Sequence, residues 1–220
     1  MFLDHIVLIK YNPVSENLGG HMVVIGLAGG IGSGKSSVSH ILEELGAVVF
    51  DADRVGHQIY LPGTDGWKAI VETFGDDVVA PDGQIDRKAL GGKVFSDPAE
   101  MTKLNAIAWP RIKQKLADGI QEQLSAGAEV IVVDAAVMIE AGWTDLTDEV
   151  WVTTSPEAQV IKRIQARNNL TEDQIQARIA SQMSTEERVS HADVVIENDG
   201  DLEDLQRKVS SLWQDRLVNS

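Results

Sequence analysis

The sequence predicts an α/β fold in which a five-stranded parallel sheet lies between two layers of helices. Five short apolar runs, rich in valine and isoleucine, are separated by stretches whose apolar residues recur with helical spacing. The runs are apolar almost throughout, which is typical of strands buried on both faces of a parallel sheet. With 43% hydrophobic and 24% charged residues, the chain has enough apolar side chains for such a core.

Two of the five predicted strands are directly followed by aspartates. They are expected at 23–27, 46–50, 130–133, 149–153 and 192–196. Asp51 and Asp53 follow the second strand, and Asp134 follows the third. Ligands of open parallel sheets bind beyond the carboxyl ends of the strands. These three aspartates are therefore candidate site residues.

Two of the predicted helices have clear boundary signals. Apolar residues at i, i+3, i+4 and i+7 begin at Val38, and Gly46 ends that helix. A second helix starts with a cap signal at Asp97. We expect Pro110 to break or kink it, because proline lacks the N–H of the helical ladder, before the apolar pattern continues to Gly127.

The strands do not alternate evenly with helices. The stretch 54–127 is far longer than one crossover needs, so it is expected to form a helical insertion on the sheet. A second helical stretch, 155–191, has start signals at Ser155, Thr171 and Ser184 and precedes the last strand. The core of the domain would then comprise 22–53, 128–154 and 192–217. Residues 1–21 precede the regular pattern and are expected to be a dispensable extension.

Composition excludes several functions. The formal charge is −15, from 34 acidic and 19 basic residues, so neither nucleic acid nor an anionic membrane is an expected partner. The chain has no cysteine, which excludes disulfides, thiolate metal sites and a cysteine nucleophile. No run of 18 apolar residues is present, and we expect a cytoplasmic location. The sequence leaves the oligomeric state open.

The stretch GLAGGIGSGKSSV contains the P-loop pattern G-x-x-x-x-G-K-[ST] between the first strand and the first helix. Glycines let successive N–H groups face phosphate oxygens, and the helix N-terminus favours the same anion. Lys35 is expected to bind the β- and γ-phosphates of ATP, and Ser36 to bind Mg²⁺. The residues expected to bind the nucleotide are Gly30, Ile31, Gly32, Ser33, Gly34, Lys35, Ser36 and Ser37.

The aspartates allow two interpretations each. Asp53 is a candidate base for an attacking hydroxyl, but it is equally placed to cap the next helix, and Asp51 could take either task. Asp134 is a candidate Mg²⁺ ligand with Ser36, since an apolar strand ending in aspartate is the usual partner of a P-loop. The alternative for Asp134 is bonding to loop N–H groups. Glu140 could reach the same cleft or lie in solvent.

The second helical stretch carries four arginines, which are Arg163, Arg167, Arg178 and Arg188. An arginine brought to the ATP phosphates by a helical lid would stabilise transition-state charge and exclude water, and Arg163 is the candidate for that catalytic role. The alternative is a solvated helix face with ion pairs to Glu172 or Glu186, which we expect for at least two of the four.

Several longer stretches resemble the dephospho-coenzyme A kinase family. They are IGLAGGIGSGKSSV, LGAVVFDADRVGHQIYLPG, FGDDVVAPDGQIDRKALGGKVF and SQMSTEERVSHADVVIENDG, with the strand end at Asp134. The resemblance implies transfer of the ATP γ-phosphoryl group to the ribose 3′-hydroxyl of dephospho-CoA. It also implies Asp53 as catalytic base, Asp134 near Mg²⁺, 54–127 as the CoA-binding subdomain and 155–191 as the lid.

The sequence departs from the family pattern at three places. Ala28 stands where the family usually has threonine, Ala135 and Ala136 follow Asp134 in place of valine and proline, and Trp109 replaces a usual histidine. The DAAV and EAGW segments are more similar to the kinase half of the eukaryotic bifunctional CoA synthase. Two other functions stay open: a P-loop kinase acting on a nucleoside or nucleotide, and a non-catalytic ATP-dependent switch.

Overall fold

The structure is a computed structural model that describes residues 22–168 and 170–218. The expected extension 1–21 lies outside the described residues. Five parallel strands form one sheet in the order β2-β3-β1-β4-β5, flanked by helices. The predicted α/β class and parallel five-stranded sheet are therefore confirmed.

The strands lie close to their predicted positions. They are β1 (Val23–Gly29), β2 (Val48–Asp51), β3 (Val130–Asp134), β4 (Glu149–Thr154) and β5 (Val194–Glu197). The expected start of β2 at residue 46 is wrong, because Gly46 has a φ of 112° and closes the preceding helix. The expected start of β5 at residue 192 is also wrong: Asp193 instead accepts a hydrogen bond from Val150 N through its carboxylate at 2.8 Å.

Nine α-helices are present among the described residues. They are α1 (Lys35–Glu44), α2 (Ala52–Ile59), α3 (Asp65–Phe74), α4 (Arg87–Val94), α5 (Pro98–Ser125), α6 (Glu157–Asn168), α7 (Glu172–Ala180), α8 (Thr185–Val189) and α9 (Leu202–Trp213). A π-helical turn, Gln214–Val218, follows α9. None of these helices is both long enough and apolar enough to cross a membrane.

Helix α5 runs through Pro110, so of the two effects expected of this proline, a break does not occur. Ile112 and Leu116, beyond the proline, are buried like Ala108 before it. The apolar stripe therefore keeps its packing across the proline, and this packing outweighs the missing backbone hydrogen bond. In addition, the Arg111 guanidinium donates to the carbonyl of Ile107 at 2.7 Å.

The chain divides into two compact units. The first contains the described residues up to Phe50 and those from Ile120 onward, and the second is Asp51–Gly119. In the first unit, apolar residues of the sheet are buried with those of α1 and α9. These core residues include Ile25, Leu27, Val38, Leu42, Val132, Trp151, Val209 and Leu212.

The second unit has a separate apolar core formed by α3, α4 and the turn between them. Its buried members are Ile70, Phe74, Val78, Ile85, Leu90 and Val94. Trp67 packs against this core and donates its indole N–H to the carbonyl of Gly83 at 2.9 Å. Trp67 is thus part of the apolar core of this unit.

One buried charge in the sheet is fully partnered. Glu149, at the start of β4, accepts from the Trp151 indole at 2.7 Å and from the Arg216 guanidinium at 2.7 Å. A buried carboxylate is costly unless its oxygens are bonded. The Glu149–Arg216 ion pair therefore holds the π-helical turn Gln214–Val218 against the sheet.

Candidate active site

The loop between β1 and α1 depends on two glycines with left-handed backbone. Gly32 has a φ of 72° and Gly34 a φ of 101°, a region that side-chain-bearing residues rarely adopt. A Cβ on Gly32 would lie 2.9 Å from Val160, and a Cβ on Gly34 would collide with the amide of Asn198. Both backbone angle and space therefore require glycine at these positions.

The N-terminus of α1 is available to an anion. In the described part of the chain no side chain caps α1, and its first turn carries no acidic residue. The first N–H groups of a helix lack internal partners and lie at the positive end of the helix dipole. The start of α1 therefore has the features that favour an anion at a helix N-terminus.

Lys35 and Asp134 form an ion pair at the carboxyl ends of the inner strands β1 and β3. The parallel register of β1 and β3 pairs Leu27 with Asp134, which brings the end of β3 beside the start of the loop. The two side chains are 18% and 12% exposed. A partly buried ion pair is screened less than a surface pair, so each charge strongly orients the other.

A cavity of about 600 Å³ opens beside the loop. Its wall includes seven of the eight residues predicted to bind nucleotide, together with Arg163, Arg167 and Asn198. The eighth, Ser33, is buried and lies outside this wall. The volume is in the range of small-molecule sites.

Arg163 is held by protein acceptors. Its guanidinium donates to Ser155 Oγ at 2.9 Å, Gln159 Oε1 at 3.0 Å, Asn198 Oδ1 at 3.1 Å, Asn198 O at 3.3 Å and Gly32 O at 3.4 Å. The Ser155 hydroxyl in turn donates to the carbonyl of Asn198 at 2.7 Å. Arg167, one turn along α6, is exposed and lines the same cavity.

Arg188 has a different partner from those expected. Its buried guanidinium pairs with Glu140 at 3.3 Å, rather than with Glu172 or Glu186. The Glu140 side chain is 26% exposed, so it is partly buried against Arg188 and does not lie fully in solvent. Arg178 is exposed on α7.

The two aspartates at the junction of β2 and α2 have different environments. Asp51 is the N-cap of α2: its Oδ1 accepts from Asp53 N at 2.9 Å and from Arg54 N at 3.1 Å. The capping alternative for Asp53 is therefore wrong. The Asp53 side chain is exposed in the first turn of α2.

Sequence reasoning missed two side chains that bind the loop. Asn198 donates to the carbonyl of Ser33 at 2.9 Å, and Gln182 accepts from Ile31 N at 2.9 Å. Asn198 directly follows β5, so the rule that ligands lie beyond strand ends could have indicated it. Gln182 follows α7 and carries no comparable signal in the sequence.

The oxygen donors near Lys35 suit magnesium. Ser36 is exposed and lines the cavity, and Asp134 contacts Lys35. Mg²⁺ takes hard oxygen ligands, usually one or two protein side chains with phosphates and water. No group of three or more histidine, cysteine or acidic residues that could hold a metal occurs in 22–168 and 170–218.

After β5, Lys208 forms a charged cluster with Asp199 and Asp204 that lowers the pKa of both carboxyl groups. Lys208 donates to Asp199 at 2.7 Å and lies 3.1 Å from Asp204. Hydrogen bonds from Lys208 hold the pKa of Asp199 and of Asp204 below their usual range. This cluster fixes the loop after β5 to α9.

The sheet order, the glycine-rich loop between β1 and α1, and the lysine that begins α1 define a P-loop kinase. A solved structure from Thermus thermophilus is similar, with a TM-score of 0.74 and 31% identity over 89% of this chain and 98% of that one. The dephospho-CoA kinase of Campylobacter jejuni aligns with a TM-score of 0.69 and 25% identity, over 89% of this chain and 97% of its own.

The chain belongs to the dephospho-CoA kinase family, whose model, Dephospho-CoA kinase (CoaE), matches residues 23–204. A relative named dephospho-CoA kinase from Geobacter sulfurreducens is 44% identical over 89% of this chain and 100% of its own length. One of the same name from Carboxydothermus hydrogenoformans is 42% identical over 87% of this chain and 93% of its own. The resemblance predicted from the sequence is confirmed.

Proposed function

We propose that this protein transfers the γ-phosphoryl group of ATP to the ribose 3′-hydroxyl of dephospho-CoA, giving coenzyme A and ADP. Membership of the family supports the reaction. The observation that carries the proposal is the Lys35–Asp134 pair at an uncapped helix N-terminus, where Lys35 also lines a cavity of about 600 Å³. This arrangement combines the cation, the N–H donors and the carboxylate that phosphoryl transfer requires.

The donor side of the site would be formed by the loop and Lys35. The N–H groups at the start of α1 bind phosphate oxygens, and the Lys35 ammonium binds the β- and γ-phosphates. Because Asp134 holds this ammonium at the carboxyl end of β3, the cation is positioned before the nucleotide arrives. Preorganised charge of this kind lowers the reorganisation needed in the transition state.

Ser36 and Asp134 would hold magnesium. When bound, the ion neutralises charge that develops on the phosphate oxygens. The exposed hydroxyl of Ser36 and the Asp134 carboxylate are oxygen donors of the type that this ion prefers.

Asp53 would act as the base. The 3′-hydroxyl oxygen attacks the γ-phosphorus, the bond from that phosphorus to the bridging oxygen breaks, ADP leaves, and Asp53 accepts the hydroxyl proton. Two observations support this role: Asp51 serves as the helix cap, and the Asp53 carboxylate is exposed two residues beyond β2. In a loose transition state the base only orients the hydroxyl and takes the proton late.

The arginines and the helical segments complete the proposed site. Arg163 supplies fixed positive charge in the wall of the nucleotide cavity, and the exposed Arg167 lies one turn further along the same helix. The segment 54–127 would hold the acceptor and 155–191 would be the lid. Closure of a lid excludes water from the transfer.

The test measures ADP release from Mg·ATP with dephospho-CoA, nucleosides or nucleoside monophosphates as acceptors. Stimulation by dephospho-CoA, with phosphate found on its 3′-oxygen, is the expected result. Stimulation by a nucleoside or nucleotide alone would support the alternative P-loop kinase. ATP binding with no stimulation by any acceptor would support a non-catalytic switch, and either outcome would overturn the proposal.

A further inference from the structure

We propose that Asn198 is a positioning residue of the nucleotide site, which holds the glycine-rich loop and Arg163 in one arrangement. The proposal rests on the nucleotide-binding part of the proposed function. Asn198 is 6% exposed and directly follows β5. Its backbone N–H donates to the carbonyl of Thr154 at 2.8 Å, so the residue is fixed to the neighbouring strand.

The side-chain amide of Asn198 donates one hydrogen bond and accepts another. Nδ2 donates to the carbonyl of Ser33 at 2.9 Å, and Oδ1 accepts from Arg163 Nη2 at 3.1 Å. A carbonyl only accepts and a guanidinium only donates, so this orientation of the amide is the one that satisfies both partners. An aspartate would turn a carboxylate toward the Ser33 carbonyl, and an alanine would lose both bonds.

The bond to Ser33 has a consequence for phosphate binding. The Ser33 carbonyl and the Gly34 N–H belong to one trans peptide, in which they point in opposite directions. Holding the carbonyl toward Asn198 therefore turns the Gly34 N–H away from Asn198. Gly34 lines the nucleotide cavity and precedes the first residue of α1. Asn198 thus sets the direction of one anion-binding N–H group.

The same residue also fixes the lid arginine. Arg163 donates to both the side chain and the carbonyl of Asn198, and Ser155 donates to that carbonyl as well. Because Gly34 has no side chain, the Asn198 amide can lie directly against the loop. Loss of the amide would therefore loosen an N–H donor and a cation of the cavity wall together.

The experiment measures binding of a non-hydrolysable ATP analogue with Mg²⁺ by calorimetry, at a temperature where each variant is folded. We expect Asn198→Asp to weaken binding about tenfold, because a buried hydrogen bond is lost and a carboxylate faces a carbonyl. In turnover, the KM for ATP should rise by a similar factor while the KM for dephospho-CoA changes less than about twofold. Asn168→Ala, on the exposed surface of α6, is the matched control and should bind like the wild type.

A double-variant cycle separates positioning from general destabilisation. Asn198→Ala should cost less binding in an Arg163→Ala background than in the wild type, because part of its effect passes through Arg163. Equal costs in both backgrounds, or folded Asn198→Asp with analogue affinity within about twofold of wild type, would overturn the proposal. If Asn198→Ala does not fold, the Asn198→Asp measurement decides alone. Analogue binding needs no acceptor, so a failure of the dephospho-CoA reaction would be distinguished from a failure of this inference.

Discussion

Replacing Lys35 with methionine tests the site most directly. The change removes the cation that contacts Asp134 at the start of α1 but keeps a side chain of similar length. We expect ATP turnover to be nearly lost, and we expect the protein to lose stability as well. The stability loss follows because the Asp134 carboxylate, only 12% exposed, would lack its partner.

The size of the effect follows from charge and burial. A unit charge about 4 Å from one phosphate charge, at an effective dielectric constant of about 20, contributes about 4 kcal/mol. Asp134 already shares the Lys35 charge, so the net loss should be smaller, at least roughly a hundredfold in kcat/KM. The unpaired carboxylate should lower the free energy of unfolding by about 2 kcal/mol, given partial exposure.

The assay compares Lys35→Met with the double variant Lys35→Met/Asp134→Asn. Steady-state kinetics with ATP and dephospho-CoA gives kcat/KM, and denaturant unfolding gives stability. The double variant should regain stability, because the unpaired charge is removed, and should stay inactive. Arg207→Met, which removes an equal charge from an exposed pair with Asp204, should keep wild-type kinetics.

The reasoning would be refuted by Lys35→Met with kcat/KM within about threefold of wild type, since the cation would then not act on the phosphates. It would also be refuted if Asp134→Asn failed to restore stability. In that case the carboxylate would not depend on Lys35 for its partner.

Three further predictions concern carboxyl groups. Asp53→Asn should keep ATP affinity but lower kcat roughly 10²- to 10⁴-fold; normal turnover would move the role of base to Asp51. Asp51→Ala should destabilise the protein by about 1 kcal/mol through loss of the α2 cap, measured by denaturant unfolding, whereas Asp51→Ser should restore most of it. Lys208 holds the pKa of Asp199 and Asp204 below 3.8, so their stabilising effect is present above that pH and is lost as pH falls through the lower folded values. Lys208→Met should therefore differ from wild type in stability at neutral pH and converge with it in acid; an equal gap at both pH values would contradict this.

The sheet and the glycine-rich loop could be predicted because their signals are local. Apolar runs identify buried strands without knowledge of their neighbours, and the loop pattern occupies consecutive residues between β1 and α1. The helix N-terminus follows from the same stretch. Family motifs then indicated the reaction.

What the sequence left open depends on contacts between distant residues. Arg163 reaches Asn198 among its several acceptors, and the pairing of Arg188 with Glu140 joins α8 to the segment after β3. No local pattern encodes such side-chain directions. Helix α5 continued through Pro110 because the packing of its apolar face outweighed a local signal. The choice between Asp51 and Asp53 as cap required backbone geometry at α2.

The sheet order has a consequence for synthesis of the protein on the ribosome. The strand β1 precedes the glycine-rich loop. It pairs with β3 on one side and β4 on the other, and these strands are formed by residues 130–134 and 149–154. Asn198, which holds the loop, comes later still. A nascent chain therefore exposes the complete loop motif long before its supports exist, and long-range pairing of this kind folds late. Nucleotide can stabilise this fold only once nearly the whole chain has emerged.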